Sequence, residues 1–396
     1  MKMNIAVLFG GKSVEHEVSV ISAVQAMGSL DAEKYEILPV YIAKDGAFWH
    51  GTALRDMEKY RDIPALLRES VRVEFVARDG KVYLYPADEK TLGRRAPIAL
   101  LDVALPIVHG TNVEDGALQG YLKTLGLPFA GCDVLASAVC MDKYVAKSAL
   151  QAEGFPVLPG LRVHSGEGLS TAEIVAQIEK QFAYPVIIKP VNLGSSVGIN
   201  RADDSDALAD ALEEAFVFAD AVLIEPCVQN LREINCAVLG DAESARASEC
   251  EEPFMQDAIL SYKDKYTGGG DKKTGGSKGM ASLKRKIPAD ISAELRAEIQ
   301  SVAVGAFRHL DAGGVARIDF LMDGATGEFW INEFNTIPGS LAFYLWEPIG
   351  LPYSKVLDEM IALALKRARH QAELTTSFDT NILASAGSFG AKGKKC

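Results

Sequence analysis

The stretch from Val315 to Gly339, VARIDFLMDGATGEFWINEFNTIPG, constrains the fold more than any other part of the chain. Val315 to Met322 is rich in apolar and β-branched residues, Gly324 to Gly327 is turn chemistry, and Glu328 to Asn335 alternates again, which predicts a β-hairpin. Side chains two apart on a strand share a face, so Arg317 and Asp319 point one way, and Glu333 and Asn335 point together on the return strand. Antiparallel pairing sets Asp319 opposite Glu333 only if the turn holds an odd number of residues or a bulge corrects the register. Two carboxylates, an amide oxygen and a guanidinium then share one small surface. Oxygen donors of this kind suit a hard cation such as Mg²⁺, held together with substrate phosphates. The competing reading of the hairpin is one polar face turned to solvent.

Composition narrows the function classes. With 396 residues, 48% of them hydrophobic and 24% charged, the chain has the makings of a multidomain globular protein with a large core. No uninterrupted apolar run reaches membrane-span length, and the opening MKMNIAVLFGG reads as a first strand and turn rather than a signal peptide. The expectation is a cytoplasmic protein with no membrane partner. A net charge of −12 argues against a nucleic-acid partner, because phosphate backbones bind basic surfaces. The six cysteines form no CxxC pair and sit mostly in apolar segments, which predicts buried free thiols. One segment departs from the acidic balance: Lys263 to Lys286 carries eight basic residues against two acidic ones, among many glycines. It reads as a loop without secondary structure over 262–286, either a lid closing over phosphates or a solvated surface loop.

Taken in order, Ile5 to Phe9 is a strand entering Gly10-Gly11, and Val20, Val24 and Met27 then fall at helical spacing. Glu15 at that turn favours an ammonium ligand, or simply caps the helix. Val71 to Ala77 and Lys81 to Tyr85 form a hairpin around Asp79-Gly80; Leu100 to Val108 is a parallel-type strand ending at His109, followed by a helix from Ala117 to Leu125. An open α/β sheet gathers ligands at the carboxyl ends of its strands, where both Glu15 and His109 lie, although His109 also reads as a structural residue. Asp133 to Ala152 reads as a helical segment. Val186 to Ile188 then deliver Lys189 to the small-residue loop Gly194, Ser195, Ser196 and Gly198, which suits phosphate binding without a Walker or Rossmann order. The exit of the strand Ala221 to Glu225 offers backbone to an adenine edge. A strand at Glu233 to Leu239 follows, then a helix from Ala289 to Leu310 and a terminal helix from Asp358 to Arg369.

Together the segments GGKSVEHEVS (10–19), VHGTNVEDGALQG (108–120), MDK (141–143), VIIKPVNLGSSVGI (186–199), LIEPCV (223–228), YKDKY (262–266), ARIDF (316–320) and NEFNTIPGS (332–340) resemble the D-alanine–D-alanine ligases of the ATP-grasp superfamily. The resemblance implies an α/β fold with three-domain ATP-grasp architecture and an N-terminal open parallel α/β domain. Its parts are 1–130, the central ATP-grasp subdomain 131–228, the C-terminal subdomain 229–370 with the metal site and lid, and 371–396 as a disordered tail. It implies ATP and two Mg²⁺ or Mn²⁺ ions as cofactors, D-alanine as substrate, and a homodimer. By motif, Lys143 and Lys189 would contact phosphates, Glu225 and Val228 the adenine, and Glu233 the ribose. Asp319, Glu333 and Asn335 would hold the metals. Glu15 would take the first ammonium beside His109, and would join Ser195 and Tyr266 in closing the lid, with Lys265 reaching phosphate or the acceptor carboxylate. Arg317 and the Gly339 N–H would stabilise the oxyanion.

The match departs from the family at the acceptor side. Where a Ser-Leu pair is expected a few residues beyond Pro-Gly, Tyr344-Leu345 stands, while Ser340-Leu341 follows Gly339 directly. Ser340, Leu341 and Tyr344 are the candidates for holding the second substrate. Lys265-Tyr266 in the lid favours an amine over a hydroxy-acid acceptor. D-alanine is the first expectation and D-serine or another carboxylate–amine pair the alternative; a non-catalytic ATP-binding regulator is the reading from a different class.

Overall fold

The computed structural model describes residues 2–87, 96–166, 168–194, 197–253 and 285–376. Three sheets organise them. The first runs, across its width, Ala99–Leu101, Lys81–Pro86, Val71–Arg78, Phe48–His50, Tyr35–Ile42, Met3–Gly10 and Val103–Val108. Only the last three strands pair parallel; the others are antiparallel, so the open sheet is mixed rather than all parallel. The turn joining Val71–Arg78 to Lys81–Pro86 has Asp79 and Gly80 at positive φ, the geometry that matches the twist of a tight hairpin. The segment read as one strand from Leu100 to Val108 is two strands, because Ala99–Leu101 pairs with the hairpin and Val103–Val108 with the parallel core.

The middle sheet, Asn200–Ala202, Val186–Pro190, Ala221–Pro226 and Leu161–His164, is antiparallel throughout. The helices Thr171–Glu179 and Ser205–Phe216 pack on it through Ile174, Ile178, Leu208 and Leu212. Both begin at side-chain caps, a Ser170/Glu173 capping box and Asp204. The third sheet runs Arg285–Lys286, Ala245–Pro253, Leu231–Gly240, Gly314–Asp323 and Phe329–Asn335. One face of it, including Ile318 and Phe320, is sealed by Ile299, Ala303 and Phe307 of the helix Ala293–His309, which starts at the Ser292 cap rather than at Ala289.

Two further expectations are corrected. The helical segment Asp133–Ala152 is two helices, Val134–Met141 and Lys143–Ala152, broken because Asp142 leaves helical geometry and caps the second through Tyr144 and Val145 N–H. The terminal helix is longer than read, Tyr353–Glu373, and buries Val356, Leu357, Met360 and Ile361 against the first sheet's core together with Trp346. Core packing therefore does not follow chain order. Arg285–Lys286 forms a short strand at the end of the segment read as loop, whereas 262–284 and the tail from 377 onward lie outside the described residues. Cys132, Cys140, Cys236 and Cys250 are buried free thiols and Cys227 is a half-buried one; Cys396 lies outside the described residues.

Candidate active site

The hairpin pairs Arg317 with Asn335 and Asp319 with Glu333, by the bulge alternative of the two the sequence left open: the register shifts immediately afterwards, where Phe320 pairs with Ile331. Asn332 is thus the extra residue of a β-bulge. Bulges re-aim side chains, and here both Asn332 and Glu333 line the cleft. Across the sheet the row continues, Asp319 opposite Asn235 and Asn235 opposite Glu251. This polar face is not turned to solvent: Arg317 and Asp319 are each 9% exposed. The Arg317 guanidinium forks onto Asp319 with both bonds at 2.6 Å, and Asn335 Nδ2 donates to the same carboxylate at 3.1 Å. Burial pushes the Asp319 carboxyl up to about 6 against the pull of Arg317, and the nearby charges of Glu333 and Glu251 push the same way.

Above this row lies a cleft of about 470 Å³ lined by the middle and third sheets and by the segments that follow two strands of the first. Lys143, the first residue of its helix, donates Nζ to Leu193 O at 2.6 Å and lies 3.7 Å from Glu333. Lys189 donates to Glu225 at 2.7 Å and to the bulged Asn332 at 2.8 Å. Glu225 is fully buried and also ion-paired to Lys147. Burial opposes its charge, but the two lysines outweigh it and hold its carboxyl below the usual range. The same burial, with Lys189 and Lys143 nearby, lowers Lys147 to about 8. The Glu225 side chain is therefore committed to lysines and does not line the cleft, whereas Pro226, Cys227, Val228 and Glu233 do.

On the first-sheet side, Glu15 precedes the helix His16–Ser29 without its side chain capping it. Its carboxylate lies directly against Gly194, where an added Cβ would sit 2.6 Å from Oε2, and against Gly110. His109 is buried beside it in the cleft lining, its Nε2 3.1 Å from Ser22 Oγ, and burial lowers it to about 4 so that the ring is neutral. Glu114 joins this loop to the hairpin's exit. It accepts from Gly110 N at 2.9 Å, Ile337 N at 2.9 Å and Thr336 Oγ1 at 3.1 Å, and burial, helped by Glu15, pushes it up to about 7.

Beyond Gly339, which lines the cleft, Ser340, Leu341 and Ala342 all take left-handed backbone angles. That turn carries two of the expected acceptor residues away from the cleft. Leu341 packs fully buried in the core, and Ser340 gives its hydroxyl to Gln25 at 2.7 Å. Tyr344 is buried behind the wall, its hydroxyl donating to Glu251 at 3.2 Å. Ser195, Lys265 and Tyr266 lie outside the described residues. Sequence reasoning missed Lys147, Glu114, Asn235, Glu251 and Arg285. Lys147 carried a signal one helical turn beyond Lys143, and Arg285 was counted only as part of the basic segment Lys263 to Lys286; the others converge through strand register and loop contact.

Residues 4–132 match the family model described as D-ala D-ala ligase N-terminus, and residues 149–362 the one described as D-ala D-ala ligase C-terminus. The chain belongs to the D-alanine–D-alanine ligase family. It is 35% identical over 383 residues to a D-alanine–D-alanine ligase of Thermosipho melanesiensis, covering 96% of this chain and 98% of that one. To the ligase of Caldicellulosiruptor bescii it is 38% identical over 381 residues, covering 95% and 99%. Among solved structures, the D-alanine–D-alanine ligase of Coxiella burnetii superposes with a TM-score of 0.76 at 30% identity, covering 94% of this chain and 96% of that one. VanG D-Ala:D-Ser ligase of Enterococcus faecalis gives 0.75 at 30% identity, covering 92% and 100%. The fold of these ligases is ATP-grasp, and the three sheets described above are its parts in this chain.

Proposed function

We propose that this chain ligates two D-alanines to D-alanyl-D-alanine, with ATP converted to ADP and phosphate, to supply a peptidoglycan precursor. The observation that carries the reading is one cleft holding, on facing walls, the Asp319–Glu333–Asn335 row with Arg317, the Lys143 and Lys189 ammonium groups, and Glu15. The γ-phosphoryl group passes to a carboxylate oxygen of the first D-alanine. The amine of the second then attacks that carbon, phosphate leaves with the bonding pair, and the amine releases a proton.

Lys143 and Lys189 bind phosphate oxygens, since phosphoryl transfer is served mainly by positioning and charge neutralisation. Val228 and the Glu225 backbone meet the adenine and Glu233 the ribose; Glu15 beside His109 takes the first ammonium, and Ser195, Lys265 and Tyr266 close the site. The donors Asp319, Glu333 and Asn335 fit two Mg²⁺ or Mn²⁺ ions, because they are oxygen ligands on one face and because the Glu333 charge beside Asp319 raises that carboxylate's demand for a cation. When bound, these ions neutralise the charge developing between the transferred and leaving oxygens. Arg317 and the Gly339 N–H face the tetrahedral oxyanion. The division into 1–130, 131–228 and 229–370, a homodimer, and a cytoplasmic location belong to the same proposal; no helix among the described residues is long and apolar enough to cross a membrane.

The test is phosphate release with ATP, Mg²⁺ and D-alanine alone, followed by product mass, and repeated with D-serine, D-lactate and L-amino acids as second substrate. D-alanyl-D-alanine is the expected product, and loss of release on chelation with EDTA is expected alongside it. Turnover only with a mixed pair would instead support the D-serine reading, which the buried Tyr344 and the likeness to VanG D-Ala:D-Ser ligase favour.

A further inference from the structure

The helix His16–Ser29 carries a polar row that the ligase reading leaves unused. Ser19, Ser22 and Gln25 stand three apart and so share one face, on the side of the helix where core packing asks for apolar residues. Ser19 and Ser22 are buried, and buried hydroxyls are costly unless they are hydrogen-bonded. Ser19 Oγ accepts from Gly10 N at 2.7 Å and donates to Ile107 O at 2.6 Å, which pins the helix to the carboxyl ends of Met3–Gly10 and Val103–Val108. One turn on, Ser22 Oγ accepts from Ser340 N at 2.9 Å and lies 3.1 Å from His109 Nε2. Gln25 Oε1 then accepts from the Ser340 hydroxyl at 2.7 Å. The row therefore runs from the first sheet to the turn that follows the third.

That turn is strained. Ser340, Leu341 and Ala342 have φ of 53°, 51° and 49°, and consecutive non-glycine residues keep such angles only where their surroundings over-determine them. Gly339 sits directly before the strained run and lines the cleft. On its other side, beyond Pro338, Glu114 holds Thr336 and Ile337. We propose that Ser22 and Gln25 are positioning residues for the ligation: by fixing the N–H and the hydroxyl of Ser340, they set the Gly339 N–H against the point where the tetrahedral oxyanion forms. The proposal rests on the ligase reading above, in which Glu15 takes the first ammonium and Gly339 the oxyanion. Glu15 immediately precedes this helix and Ser22 lies two turns along it, about 10 Å at 1.5 Å per residue. One rigid element thus sets the spacing between the group that binds the amine of the first D-alanine and the turn that serves its carboxyl carbon. Misplacing such a donor by about 1 Å can cost about 100-fold in rate.

Gln25 is half-buried, so Gln25→Met removes the acceptor at little cost in packing, and Gln25→Glu returns an acceptor oxygen. Gln25→Met is expected to lower kcat for dipeptide formation about 10-fold, and Gln25→Glu to recover most of that loss. Ser22→Ala leaves the buried Ser340 N–H without its acceptor and is expected to lower kcat about 10- to 100-fold. A phosphinate analogue of the dipeptide separates positioning from a loosened fold, because its tetrahedral P–O⁻ stands where the oxyanion forms. Its inhibition constant is expected to rise by the factor that kcat/KM for D-alanine loses, while ADP affinity stays within about twofold. The proposal is overturned if neither variant changes kcat, if kcat falls with phosphinate binding unchanged, or if ADP binding weakens by the same factor. If Ser22→Ala does not fold, Gln25→Met and Gln25→Glu decide by the same criteria. Absence of dipeptide from the parent chain would overturn the ligase reading itself, and this positioning role with it.

Discussion

At the scale of single residues, the cleft wall balances buried charges against one another. Arg317 forks onto Asp319 and faces the point where an oxyanion forms in the proposed reaction. Removing such a donor typically costs about 3 to 4 kcal/mol of transition-state stabilisation, so Arg317→Ala is expected to lower kcat by about 10²- to 10³-fold. Dipeptide formation at saturating substrate, with melting as a control, checks this; an unchanged rate would remove Arg317 from the assignment. Lys147 makes a different prediction because it does not touch the main cleft. Glu225 is buried between Lys147 and Lys189, and breaking a buried pair on one side commonly costs about 3 kcal/mol. Lys147→Met is therefore expected to lower the melting temperature and to raise the KM for ATP by leaving Lys189 as the sole partner of the Glu225 charge, and Lys147→Arg to restore both. Normal values in the methionine variant would show that Lys189 is held without it. Arg317 and Asp319 were legible from strand alternation alone, whereas Lys147 was legible only as a helical neighbour of Lys143. Its partner Glu225 is brought up by the strand Ala221–Pro226 of the middle sheet.

At the scale of elements, three local devices position these groups. The bulge at Asn332 turns an amide oxygen to Lys189 without disturbing the Asp319–Glu333 pair. Gly194 lets the loop after Val186–Pro190 approach Glu15, since a Cβ there would stand 2.6 Å from the carboxylate oxygen. Gly194→Ala is expected to displace Glu15 or the loop and cut activity at least about tenfold, with melting changed little because the loop carries small core burial. Full activity in that variant would contradict the close approach. The left-handed turn at Ser340, Leu341 and Ala342 is the third device, and each non-glycine residue there costs about 1 to 2 kcal/mol. At Ala342, relief of strain by glycine roughly offsets the lost buried methyl, so Ala342→Gly is expected within about 0.5 kcal/mol of the parent, and Ala342→Val about 2 to 3 kcal/mol less stable. Chemical denaturation distinguishes the two; equal losses would mean that packing and not backbone conformation governs the turn.

At the scale of the whole molecule, buried titratable groups tie the first sheet to the third. His109 is neutral with its pKa lowered to about 4, so below the ordinary histidine value near 6.5 the unfolded chain binds a proton that the fold refuses. Its contribution makes stability fall as pH falls from about 6.5 to 4. Glu114, pushed up to about 7, acts oppositely: above the ordinary value the unfolded chain releases a proton that the fold keeps, so stability falls as pH rises toward 7. The slopes oppose each other over the shared range. Glu114→Gln is expected to leave a steeper loss toward acid pH and His109→Gln a steeper loss toward neutral pH, read by melting from pH 4 to 7.5. Parallel profiles in both variants would show that neither group titrates within the fold. The sequence by itself determined the hairpin, the shared faces of Arg317 with Asp319 and of Glu333 with Asn335, and the family, because alternation, turn residues and motif order are properties of short segments. Only the tertiary structure decided that Asp142 splits a helix, that Ser340 and Leu341 turn away, and that Glu114, Asn235, Glu251 and Arg285 meet at the cleft. Those outcomes depend on backbone handedness, strand register and burial, which bring together residues far apart in the chain.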